Sequence, residues 1–163
     1  QKVMKTQKER AINRETKNTY EKYLKTSVDQ IQWRWQTPHI IKDEDCPWED
    51  TPMGRIKYFA TPFSPSPLYL FDVFIQELPP NGRSGKHRHV GEEVHKILKG
   101  RGYDIHDGVK WEWKEEDIVY IPINTVHQHF NADSHHPATF ISLQSRVYHH
   151  LGHGGIEHIE DAA

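Results

Sequence analysis

The chain has one cysteine, Cys46, in 163 residues. That excludes an intramolecular disulfide framework and fits a reducing, cytoplasmic setting. Long apolar runs are also missing. No stretch approaches the roughly 20 apolar residues that span a bilayer, and no signal-type apolar segment follows Gln1. A soluble protein without a membrane partner is expected. An excess of either charge is lacking too, with 21 Lys and Arg against 23 Asp and Glu for a formal net charge of −2. No basic stripe is interleaved with aromatics, so nucleic acid is not an expected partner. Internal repeats are absent, and only HHLGHGGIEH near the C-terminus is compositionally biased.

What remains is enough for one modest core, since 35% of the residues are hydrophobic and 11% aromatic. Residues 6–26 predict a helix: Thr6 and Glu9 form a capping-box pattern, and Ile12, Thr16, Thr19, Tyr20, Tyr23 and Leu24 recur at helical spacing. Ser27 to Trp35 would add a short further turn. Residues 1–37 thus read as a helical arm, locally basic and solvated.

From about residue 38 onward, short β-branched and aromatic runs alternate with Pro, Gly, Asn and Asp, the pattern of a sandwich or barrel. Strands are predicted near 39–42, 54–60, 68–78, 84–90, 92–99, 102–106, 109–113, 117–122, 126–131 and 138–148. The three prolines of TPFSPSP, residues 61–67, exclude a central strand there. Asp107-Gly108 predicts a two-residue type I′ hairpin, which needs positive φ twice. Residues 38–148 would form the barrel and residues 149–163 a mobile tail rich in His and Gly.

The stretch GKHRHVGEEVHKILKG, residues 85–100, carries the chemistry. On a strand His87 and His89 share one face, with Lys86 and Arg88 on the other. Glu93 follows after space for a turn, so its carboxylate can meet both imidazoles. PINTVHQHFN, residues 122–131, offers a further ligand, because His127, His129 and Asn131 share a face of a later strand. Buried polar groups need partners, and a metal ion is the first candidate.

These two stretches resemble the two motifs of the cupin superfamily. GRSGKHRHVGEEVHKILKG, residues 82–100, is similar to the first, with His87, His89, Glu93 and Gly100 in register. EDIVYIPINTVHQHFN, residues 116–131, is similar to the second, with Pro122, His127 and Asn131 in register. Asn124 stands where the second motif has its turn glycine, and asparagine tolerates the left-handed conformation. The resemblance covers about residues 68–148 and implies an all-β jelly-roll barrel.

By the resemblance, His87, His89, Glu93 and His127 hold one divalent transition metal, with Fe(II) favoured and Mn(II), Ni(II) or Zn(II) also suited to the donors. Two open positions on an octahedral ion would take an anionic, oxygen-chelating small molecule. His95 stands where cupins often carry an aromatic, and with His129 it is a candidate for proton transfer. Tyr103 and Trp113 are candidate walls for a flat substrate. The wider context resembles small single-domain cupins related to gentisate-type ring-cleaving dioxygenases, which implies an Fe(II) dioxygenase acting on a hydroxylated aromatic acid. Gentisate enzymes generally use three histidines without the glutamate, so Glu93 departs from them. Two alternatives stay open: an oxygen-independent decarboxylase, lyase or isomerase on the same metal, and a non-enzymatic metal-binding or sensor barrel. A homodimer is expected, since pairing covers sheet edges.

Overall fold

The computed structural model describes residues 19–163. The chain divides after Thr37 into two units, each described by itself. In the first, helix α1 spans Thr19–Gln36 and buries none of its residues. The helix expected over 6–26 falls partly outside the described residues, and the further turn expected from Ser27 is instead continuous with α1. The reason lies in spacing: Val28, Ile31 and Trp35 carry on the helical recurrence of Tyr20 and Leu24. The hydroxyls of Thr26 and Ser27 donate to the carbonyls of Lys22 and Tyr23, so neither residue breaks the helix.

The second unit is two antiparallel sheets in a jelly roll. Its strands are β1 (Trp48–Thr51), β2 (Gly54–Ala60), β3 (Phe71–Leu78), β4 (Lys86–His89), β5 (Glu93–Lys99), β6 (Arg101–His106), β7 (Val109–Lys114), β8 (Ile118–Ile121), β9 (His127–Asn131), β10 (Ala138–Ser145) and β11 (Ile156–Glu160), with a helical turn α2 (Val147–His150) before the last. The six-stranded sheet runs β1-β2-β3-β10-β5-β8 and the five-stranded sheet β11-β4-β9-β6-β7. Leu78, Ile97, Trp113, Val119, Ile121, Ala138 and Phe140 cluster as the buried core. Inward residues alternate with outward ones, most plainly along β3 and β10.

Turn chemistry matches the residues. Asp107 and Gly108 have φ of 47° and 85°, as a type I′ turn demands. Asn124 takes φ of 61°, and its N–H donates to the carbonyl of His89 at 3.0 Å, tying the second motif to the first.

Three expectations change. No strand forms at 39–42; the chain turns instead at Asp43–Asp45, and pairing begins at β1, where Thr51 Oγ1 bonds Gly54 and Met53 to close a hairpin into β2. β10 ends at Ser145, short of 148, because the chain enters α2. The stretch expected as a mobile tail contains β11, paired with β4 through Ile156↔His89 and His158↔His87. Lys86 pairs with Glu160 and Arg88 with Glu157 across this edge, which accounts for the two basic residues facing away from the histidines.

Candidate metal centre

In β4 the period-2 alternation buries His87 and His89 and leaves Arg88 exposed. The following turn is tight. A Cβ on Gly91 would stand 1.9 Å from the carbonyl oxygen of Ser145, so only glycine lets the backbone pass and start β5 with Glu93 inward. β9 pairs with β4 at a single position, His87↔His127, which puts those rings 4.1 Å apart by centroid. The resulting donors of His87, His89, Glu93 and His127 all lie within 4.8 Å of one another, and all four residues are buried.

Backbone carbonyls orient the rings. Nδ1 of His89 lies 2.7 Å from the Gly91 carbonyl, Nδ1 of His127 2.8 Å from that of Thr125, and Nδ1 of His87 3.3 Å from that of Gly85. A carbonyl only accepts, so each Nδ1 carries the hydrogen and each Nε2 keeps a lone pair. Nε2 of His127 is buried without a hydrogen-bond partner. Nε2 of His89 faces Glu93 Oε2 at 2.8 Å. A lone pair against a carboxylate repels, and only a cation at that point, a metal ion or a second ring proton, makes the contact attractive. The donor set therefore fits a divalent metal.

Electrostatics favour the ligating forms. Burial pushes His87 down to about 3, with His129 and His89 adding to the effect, while neighbouring Glu93 opposes it. Burial and then His87 hold His127 well below its ordinary value. Burial alone would raise Glu93, but the neighbouring His95 and His89 outweigh it and hold the carboxyl well below its ordinary value.

A second buried group, His95, Asp104 and His129, adjoins the first, its donors again within 4.8 Å of one another. Nε2 of His95 lies 2.7 Å from Glu93 Oε1, and its ring stacks on Phe140. Asp104, on the inward face of β6, accepts a 2.8 Å hydrogen bond from Trp113 Nε1. Burial alone would raise Asp104; the neighbouring His129 and a hydrogen bond from His106 outweigh it and hold the carboxyl well below its ordinary range. Asp104 was missed in the sequence, although a charged residue two positions after Gly102 on an inward register was a usable sign.

A cavity of about 660 Å³ opens beside the centre, reached by His87, Glu93 and His129. Ile56, Tyr58 and Phe74 give it apolar walls, and Gln76, Gln144 and the Asp72–Arg146 pair (2.6 Å) supply polar ones. Residues between 38 and 66 close one side, including half-buried Cys46. Of the expected site residues, His87, His89, Glu93, His127, His95 and His129 come together. Tyr103 and Trp113 do not join the cavity. Tyr103 stacks on Phe130 with Lys110 over its ring, and Trp113 is a core residue anchored to Asp104, because the inward register of β7 points it between the sheets.

A cupin-domain family model matches residues 74–144, the span from β3 to β10 that contains every donor above. Residues 74–144 thus carry a cupin domain. The chain is similar in fold to a cupin-like protein of Thermotoga maritima (21% identity, 74% of this chain and 84% of that one, TM-score 0.55). It is also similar to the salicylate 1,2-dioxygenase of Pseudoaminobacter salicylatoxidans in its adduct with gentisate (13%, 71% and 31%, 0.59). A third likeness is to the DMSP lyase DddQ of Ruegeria pomeroyi (17%, 63% and 57%, 0.55). At such identities the likeness is one of fold, and the chain spans about a third of the dioxygenase's length.

Proposed function

We propose that this chain is a metal-dependent enzyme, an Fe(II) dioxygenase acting on a hydroxylated aromatic acid or a similar oxygen-chelating anion. The observation that carries the reading is the 2.8 Å approach of His89 Nε2 to Glu93 Oε2 with the ring hydrogen already committed to Gly91. That arrangement asks for a cation, and His87 and His127 add two neutral nitrogens to it. The ion, when bound, supplies Lewis acidity and, as iron, redox chemistry.

The chain's own groups do the rest. His129 lines the cavity and meets the substrate, taking or returning its proton. His95 holds a proton at Nε2 against Glu93 Oε1 and fixes the carboxylate's orientation. Ile56 and Phe74 exclude water around an aromatic ring, and Gln144 and Arg146 offer donors to its polar substituents. A homodimer belongs to the same proposal, since both sheets end in exposed edge strands, and sedimentation velocity tests it.

Protein purified without oxygen and loaded with Fe(II) is screened against hydroxylated aromatic acids in an oxygen electrode. Consumption of dioxygen with ring cleavage is expected. Turnover without oxygen uptake would replace the dioxygenase with the lyase or isomerase reading, and a metal-loaded protein that turns over nothing while binding a partner would favour the sensor barrel.

A further inference from the structure

We propose that His95, Asp104 and His129 form a second cation site, sharing Glu93 with the first centre. This rests on the metal centre above for its bridging carboxylate. Three observations lead to it.

First, the three donors belong to different strands, β5, β6 and β9, yet converge within 4.8 Å, and each residue is at most 2% exposed. Two imidazoles and a carboxylate are a common ligand set for Mn(II), Fe(II), Co(II) and Zn(II). Secondly, Nδ1 of His129 is buried and makes no hydrogen bond, although Asp104 Oδ2 lies 3.0 Å away. The ring does not aim its nitrogen at the carboxylate, so the two atoms share a space without satisfying each other. An ion between them would satisfy the nitrogen and bind the oxygen, which His106 Nε2 reaches only at 3.3 Å. Asp104 is held for that task, since Trp113 occupies Oδ1 and leaves Oδ2 to the histidines. Thirdly, Glu93 divides its oxygens between the groups, with Oε2 against His89 and Oε1 against His95. That is the disposition of a carboxylate bridging two cations.

His129 carries the second site to the cavity wall, so both ions would stand beside the substrate space. Such a pair takes an oxyanion that can span two cations, such as a carboxylate.

Metal-stripped full-length protein is dialysed to saturation against Mn(II) and the bound metal counted by elemental analysis. Wild type is expected to hold two ions per chain, with an electron paramagnetic resonance signal weakened by coupling between them. Asp104→Asn and His129→Gln are expected to hold one, with the uncoupled signal restored. Circular dichroism confirms that each variant is folded, and the wild-type count stands without them. One ion per wild-type chain overturns the second site alone. Two ions that survive both substitutions also overturn it, placing the extra ion elsewhere, as on the histidines near the C-terminus. No bound ion overturns both centres.

Discussion

His89 and His127 each spend Nδ1 on a backbone carbonyl and offer Nε2 to the centre, so removing either ring removes a donor without opening the main core. His89→Ala and His127→Ala are each expected to lose most of the bound metal, on the order of 100-fold or more in affinity, with the far-ultraviolet spectrum of the folded barrel kept. Metal analysis alongside circular dichroism checks this, and full retention of metal would refute the ligand set. At this scale the sequence was informative, because the alternation of β4 and the spacing to Glu93 are local properties. For Asp104 it held only the inward register, because that residue's role depends on Trp113 and His129, residues from two other strands.

Among elements, the turn between β4 and β5 controls the centre most directly. Gly91 passes the Ser145 carbonyl where no Cβ fits, and its own carbonyl orients His89. Gly91→Ala must push that backbone aside and swing the ring with it. We expect metal affinity to fall on the order of 10–100-fold, the usual cost of disturbing a group that orients a ligand, while Gly155→Ala leaves it unchanged, since nothing lies near the added methyl and the backbone there has no positive φ. Isothermal titration with Co(II) distinguishes them; equal affinities would show that the turn does not position His89. Strand β11 shows why elements are harder to read than residues. IEHIE has weak strand character, and it becomes a strand because β4 presents an open edge and Lys86 and Arg88 meet Glu160 and Glu157 there. Residues 39–42 have strand-like composition, yet they join neither sheet of the described residues.

For the whole molecule, the buried titratable groups link stability to pH. His87 and His127 are kept neutral in the fold, whereas an unfolded chain protonates its histidines near 6.5. Between 6.5 and about 3, the lowered value of His87, the unfolded state therefore binds more protons, and stability is lost as the pH is lowered. Glu93 and Asp104 act in the same direction lower down, their stabilisation being lost as they protonate below their ordinary values. Metal-stripped protein should lose on the order of 1–3 kcal/mol between pH 7 and pH 5, read from urea unfolding at each pH, and a flat profile would mean these histidines are solvated. Bound metal should steepen the dependence, because protons compete for the same nitrogens.

The sequence by itself determined the strand-rich class, the Asp107-Gly108 and Asn124 turns, and the inward face of each motif, because side-chain alternation and left-handed turn residues are read over a few positions. Only the tertiary structure decided that His95 and His129 gather Asp104 into a second buried group, that Trp113 serves the core, that residues 38–66 wall the cavity and that β11 covers the β4 edge. Each of these depends on which strands become neighbours across two sheets, and that is fixed by packing among residues far apart in the chain.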